Sequence, residues 1–226
     1  MGRDNQPKER QRRDLERGRQ RGRASCERIL IVSEGSKTEP LYFDEIRKEL
    51  CLPVRNITAK GSELGTDPLH VVQYAKELFE HGDLYKSIEP RSYDHVFAVF
   101  DRDNHGSYFQ ALDLAHSLDA KLKNDEKRRV HFKAIASAPS FELWLLLHYE
   151  VIHAPLHRDE VLRRLRQHFP NYAKGVGNVY ATTRNRLDVA MQRAEALAAR
   201  FTAYDNPEQP FTAVAELVKL LTTLRA

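Results

Sequence analysis

The sequence lacks most of what would place a protein outside the cell or in a membrane. It holds two cysteines in 226 residues, Cys26 and Cys51. They form no C-x-x-C pair, and two thiols cannot staple a chain of this size, so both are read as reduced residues of a cytoplasmic protein. No apolar run exceeds a few residues, where a membrane helix needs about 20. The charged amino terminus has no apolar stretch that would make it a secretory signal. Gly35-Ser36-Lys37-Thr38 is not spaced as the G-x-x-x-x-G-K-[ST] loop that cradles nucleotide phosphates, so any energy coupling has to come from a partner. The histidines show neither H-E-x-x-H nor a pairing with cysteine, which argues against zinc. Ser33 and Ser36 have no G-x-S-x-G context, and no internal repeat is visible.

What is present is an ordinary globular composition, 41% hydrophobic and 30% charged, carrying a polar leader. The net charge of +4 is unevenly spread. Through Arg23 there are nine basic residues, among them Arg12, Arg13, Arg17, Arg19, Arg21 and Arg23, against four acidic ones. That excess of five leaves about −1 for everything after it. Residues 1–25 are therefore expected to be a disordered basic arm that contacts nucleic-acid phosphates, the alternative being a solvated leader that only keeps the protein soluble.

Beyond the leader the pattern is β-α-β-α-β-α-β, with strands expected at Arg28–Ser33, Val54–Thr58, Val96–Phe100 and Val130–Ala136. That order implies a parallel four-stranded sheet flanked by helices. Ser36-x-x-Glu39 reads as a capping box opening a helix to about Leu50. Asp67-Pro68 opens a second, ended by His81-Gly82, and a third runs over Ser107–Lys123. Ser140 is read as the N-cap of an apolar helix reaching Tyr149. After it only helices are expected, over about 158–168, 183–201 and 211–224. Residues 26–150 are thus taken as an α/β core and 151–226 as a helical extension packed on it.

Four carboxylates stand where this topology would bring them to the carboxyl edge of the sheet, the usual ligand crevice of open α/β sheets. Glu34 ends the first strand. Asp101 and Asp103 follow the third and, being two apart, point the same way on an extended backbone. Glu142 lies in the first turn after Ser140, where the helix dipole favours an acid whatever else it does. Anions held that close are tolerable with a hard cation between them, and Mg²⁺ takes one or two carboxylates plus waters and phosphates. Two such ions can activate a water and stabilise the leaving oxygen of a phosphodiester. The competing reading of Asp101–Gly106 is a plain turn. Lys37, at a helix start, and Lys174, on a loop, are candidate phosphate contacts, against simple solvation. Trp144 and its neighbouring leucines are read as core rather than as a base-stacking platform.

Ile29–Phe43 (I-L-I-V-S-E-G-S-K-T-E-P-L-Y-F), Val99–Asp103 (V-F-D-R-D) and Ser137–Tyr149 (S-A-P-S-F-E-L-W-L-L-L-H-Y) together resemble the RloB-like proteins of the Toprim superfamily, relatives of the OLD-family nucleases. The likeness covers about residues 20–226, including Tyr172-x-Lys174 and Asn206-Pro207. It implies a Toprim core with Glu34, Asp101 and Asp103 as its acidic signature binding Mg²⁺ or Mn²⁺, and Glu142 as a fourth acid. It also implies a setting in antiphage defence by abortive infection, beside a separate ATPase. Ala138 stands where relatives commonly carry asparagine before the proline.

Three functions follow as expectations. The first is a metal-dependent nuclease acting on DNA or RNA, tRNA included, with Glu34, Asp101, Asp103 and Glu142 at its centre. The second is a non-catalytic nucleic-acid-binding adaptor on the same scaffold. The third is a phosphotransferase or a topoisomerase-like subunit, the latter needing a nucleophilic tyrosine such as Tyr42 or Tyr108. No membrane association is expected, and self-association is left open.

Overall fold

The computed structural model describes residues 27–53, 57–65, 67–102, 105–205 and 209–224. The basic arm, Asp103 and Asn206-Pro207 lie outside those residues. Two uninterrupted apolar runs set the architecture. Ile29–Ser33 (β1) is buried at every position, and His95–Asp101 (β3) at all but its first residue. A strand covered on both faces has no polar alternation to show, so such runs belong at the centre of a parallel sheet.

The sheet has the order β2-β1-β3-β4-β5, with β2 at Ile57–Gly61, β4 at His131–Ala138 and β5 at Phe211–Thr212. β1 pairs in parallel with both β2 and β3, and β3 with β4. The expected four parallel strands are present, but the sheet is mixed and five-stranded. β5 runs antiparallel, pairing Thr212 with Ser137 and Phe211 with Ala138. The segment expected to be a helix from Phe211 therefore begins as an edge strand, and its helix starts only at Val214 (α8, Val214–Thr223). β2 also extends past the expected Thr58, to Gly61, while residues 54–56 of that expectation lie outside the described residues.

Period two along each strand feeds two cores. Ile29, Ile31, Phe97, Val99 and Ile135 face one way, Leu30, Val32, Val96, Ala98 and Phe100 the other. The second face is covered by Pro68–His81 (α2) and Tyr108–Leu118 (α3). Asp67 caps α2 by accepting the Leu69 N–H at 3.0 Å, and Gly82 (φ 69°) ends it, both as the sequence indicates. α3 stops at Leu118, short of Lys123, because Asp119 turns away and accepts the Phe132 N–H of β4 at 3.1 Å.

The first face is covered by Thr38–Glu49 (α1), Glu142–Leu147 (α4), Arg158–His168 (α5), Val179–Thr183 (α6), Leu187–Ala198 (α7) and α8. The helix expected over 183–201 is divided: Arg184–Arg186 forms a 3₁₀ turn between α6 and α7. Every residue of α4 is buried, so this short helix is a core element rather than an amphipathic one. Its Trp144 is fully buried and donates its indole N–H to the Tyr42 hydroxyl at 2.8 Å. Tyr42 in turn meets Phe43, Phe141 and Tyr180 edge-on at 5.5–5.8 Å, the geometry aromatic quadrupoles favour. Among the described residues no helix is long and apolar enough to cross a membrane.

Candidate functional site

The carboxyl edge is assembled by backbone bonds that continue the ladder past the strands. The Glu34 N–H donates to Val99 O at 2.8 Å, Arg102 N–H to Ser137 O at 2.8 Å, and Ser62 N–H to Ser33 O at 2.7 Å. These fix the turns after β1, β3 and β2 against one another. Glu34 then reaches across the edge, its Oε2 accepting the Asp101 N–H at 3.0 Å. Asp101 Oδ1 accepts the Phe141 N–H at 2.8 Å, so the buried aspartate joins the end of β3 to the entry of α4. Glu34 and Asp101, distant in sequence, thus share one edge. Asp103 lies outside the described residues.

Glu142 joins the same pocket. It is buried, with Oε2 taking the Ser140 Oγ–H at 2.7 Å and Oε1 the Tyr172 hydroxyl at 3.2 Å. Ser140 is therefore not the expected side-chain cap: its hydroxyl serves Glu142, and the residue preceding α4 is Phe141, which makes no side-chain cap bond. Burial beside Glu142, Glu39 and Asp101 pushes the Tyr172 hydroxyl well above its ordinary range. A tyrosine so placed stays protonated and keeps donating. Tyr42 and Tyr108, the tyrosines considered as nucleophiles, are both buried side chains of the core.

The structure adds an acid that sequence reasoning had assigned to a capping box. Residue 37 occupies the cap position of α1 with no side-chain cap bond. Glu39 instead lies buried over Gly35, so close that a Cβ at residue 35 would fall 2.2 Å from its Oε2. Burial, then repulsion from Glu142 and Glu34, pushes the Glu39 carboxyl up to about 7, with Lys174 opposing. The only advance signal was its place in the T-E-P motif.

Lys37 and Lys174 are exposed, and the loop carrying Lys174 is laid across the start of α1. Gly175 N–H donates to Thr38 Oγ1 at 3.0 Å, and Glu45 accepts the Asn178 and Tyr180 N–H groups at 2.5 and 2.8 Å. The Lys37 stem packs directly on Gly175, where a Cβ would come within 3.0 Å of it. The two lysines thus flank the acids from one side.

A family model for RloB-like proteins matches residues 29–221. The chain belongs to the RloB-like family. Comparison with curated proteins and with solved structures finds no match. The matched span takes in the five strands found among the described residues of this RloB-like chain and every acid described above.

Carboxylate oxygens are the hard donors that Mg²⁺ and Mn²⁺ prefer. The repulsion that helps raise the Glu39 carboxyl is what a dication would relieve, so the donor set fits such an ion in kind. Among the described residues no group of three or more Asp, Glu, His or Cys is placed so that it could hold a metal ion.

Proposed function

We propose that this RloB-like protein is a divalent-metal-dependent nuclease built on a Toprim-type core. The observation that carries the reading is the convergence of Glu34, Asp101, Glu39 and Glu142 on one sheet edge, with Lys37 and Lys174 beside it. Glu34, Asp101 and Asp103 would hold Mg²⁺ or Mn²⁺, which when bound supplies charge for the developing phosphorane and acidifies a water.

The chain's own residues do the rest. Glu34 serves as a ligand or takes the proton of the attacking water at its carboxylate. Glu142 is held in one orientation by Ser140 and Tyr172. Lys37, Lys174 and the arginine arm bind the phosphates on either side of the scissile bond. Water adds to phosphorus as its proton passes to Glu34, the P–O bond to the departing sugar oxygen breaks, and that oxygen takes a proton from solvent. A role in antiphage defence beside a separate ATPase belongs to this same reading and rests on the family.

One observation favours a second reading. Glu34 and Asp101 each accept a backbone N–H, which is how carboxylates act when they merely tie loops together. A non-catalytic adaptor would keep those bonds and need no ion. Incubation with supercoiled DNA, single strands and tRNA in Mg²⁺, Mn²⁺ or chelator separates the two. Metal-dependent cleavage lost in Asp101→Asn and Glu34→Gln is expected. Cleavage unchanged by Asp101→Asn refutes the mechanism, and binding without cleavage in every metal selects the adaptor.

A further inference from the structure

Beside the acidic pocket, on the opposite face of the sheet, stands a column of π surfaces that the proposed chemistry does not use. Arg102 follows Asp101 directly and is buried, 6% exposed. Its guanidinium lies 4.7 Å from the Tyr108 ring centroid and 5.0 Å from that of Phe109. It also donates to the carbonyls of Asp205 at 2.5 Å and Ala203 at 3.4 Å. Those two bonds draw the segment after α7 against the start of α3. There Tyr204 stacks on Phe109 with ring centroids 6.2 Å apart and planes 22° from parallel, and the Tyr204 hydroxyl donates to Asp113 at 3.0 Å.

The column is rigid where it is buried and open where it ends. Phe109 is 44% exposed and Tyr204 53% exposed. Among the described residues Tyr204 has no ring partner other than Phe109. Half-exposed aromatic rings held from both ends by a buried cation and a hydrogen bond are a pre-formed surface rather than a loose contact. A flat platform of this kind, backed by the residue that follows Asp101, matches a nucleobase, every one of which has a π face.

We propose that Tyr204, supported by Phe109 and Arg102, is a stacking subsite for one unpaired base of a single-stranded nucleic acid whose backbone runs past the acidic edge. This rests on the nuclease reading for the identity of the substrate, yet it is tested separately. The full-length protein, in chelator so that nothing is cleaved, is titrated with a short fluorescently labelled single strand and with an abasic strand of the same length and phosphate count. The wild type is expected to prefer the base-bearing strand. Tyr204→Leu should weaken that strand by about 5- to 150-fold, the range of one lost base–aromatic stack, and leave the abasic strand unchanged. Tyr204→Phe, which keeps the ring and loses only the Asp113 bond, should retain the preference, and Phe109→Leu should erode it.

Equal losses on both strands, or none on either, would overturn the platform, since a ring that merely pins the 201–205 segment changes stability without regard to bases. If hydrolysis fails in every metal while the base-dependent difference persists, the nuclease reading falls and the platform stands. If hydrolysis proceeds while binding ignores bases, the platform alone falls.

Discussion

His148 makes the stability of this protein depend on pH in a direction that the structure fixes. Its side chain is fully buried at the end of α4. Nδ1 is 3.1 Å from the Trp144 carbonyl and Nε2 has no partner among the described residues, while the ring sits edge-on to Trp144 at 4.9 Å. Burial drives the imidazole down from 6.5 to about 4; the Trp144 and Leu145 backbone partly resists, and the charges of Arg193 and Arg186 push the same way as burial. The unfolded chain therefore takes up a proton near pH 6.5 that the folded chain refuses until about pH 4. Between those values the unfolded state binds more protons, so stability rises with pH, is complete above about 6.5 and is lost on the way down. At about 1.4 kcal/mol for each tenfold difference in proton affinity between the two states, the full loss is about 3 kcal/mol, of which about 2 kcal/mol has gone by pH 5. The assay is urea unfolding of wild type and His148→Leu at pH 7.5 and pH 5. The variant cannot titrate at this position, and every carboxylate contributes alike to both proteins, so the difference isolates the histidine. The wild type should lose about 2 kcal/mol relative to the variant over that interval. Curves that fall in parallel would refute the reasoning and mean that the ring is hydrated or finds an acceptor.

Three further perturbations test separate parts of the structure. Gly175→Ala places a side chain at φ +80° and 3.0 Å from the Lys37 stem, so it should destabilise the loop by about 1–2 kcal/mol, read as a lowered melting temperature. Trp144→Phe removes the donor to Tyr42 and leaves a buried hydroxyl unpaired, at about 1–3 kcal/mol before any cavity is counted. Denaturant unfolding with an unchanged midpoint would show that the bond contributes nothing. Deleting residues 1–23 should weaken nucleic-acid binding and flatten its dependence on salt, because fewer counterions are released. An unaltered slope would make the arm mere solvation.

The parts of the fold that were legible are those whose local chemistry has one outcome. β1 and β3 announced themselves as apolar runs, and Asp67-Pro68 and Gly82 bracketed α2 because an extended cap residue and a left-handed glycine leave the backbone little choice. β5 was illegible: two residues on an antiparallel edge carry no period, and Phe211-Thr212 is continuous with the apolar pattern of the helix that follows. The site shows the same division. Glu34 and Asp101 could be placed at one edge because strand order puts them there. Glu39 was missed and Ser140 misassigned for one reason. An S-x-x-E box and a serine before a helix are local capping signals, and here both polar groups turn to another near neighbour, Gly35 and Glu142 respectively, in surroundings whose burial only the tertiary fold supplies. Arg102 offered no signal at all, since nothing in an isolated D-R-D says that the arginine is buried between rings.

The helical third is part of the site and not a cover over it. Tyr172 holds Glu142, Gly175 binds Thr38, and Glu45 fixes the loop end at Asn178 and Tyr180. α5 and α7 of the same third pack on α4, whose leucines and Trp144 have no exposed surface. The sheet edge alone supplies Glu34 and Asp101, which any open α/β sheet of this order could present. The second hydrogen bond that orients Glu142, from Tyr172, and the approach of Lys174 come from residues beyond 170. Geometry at the acids is therefore coupled to packing against α1, and a substitution at Glu45, which touches neither the acids nor the lysines, is the place where that coupling is exposed.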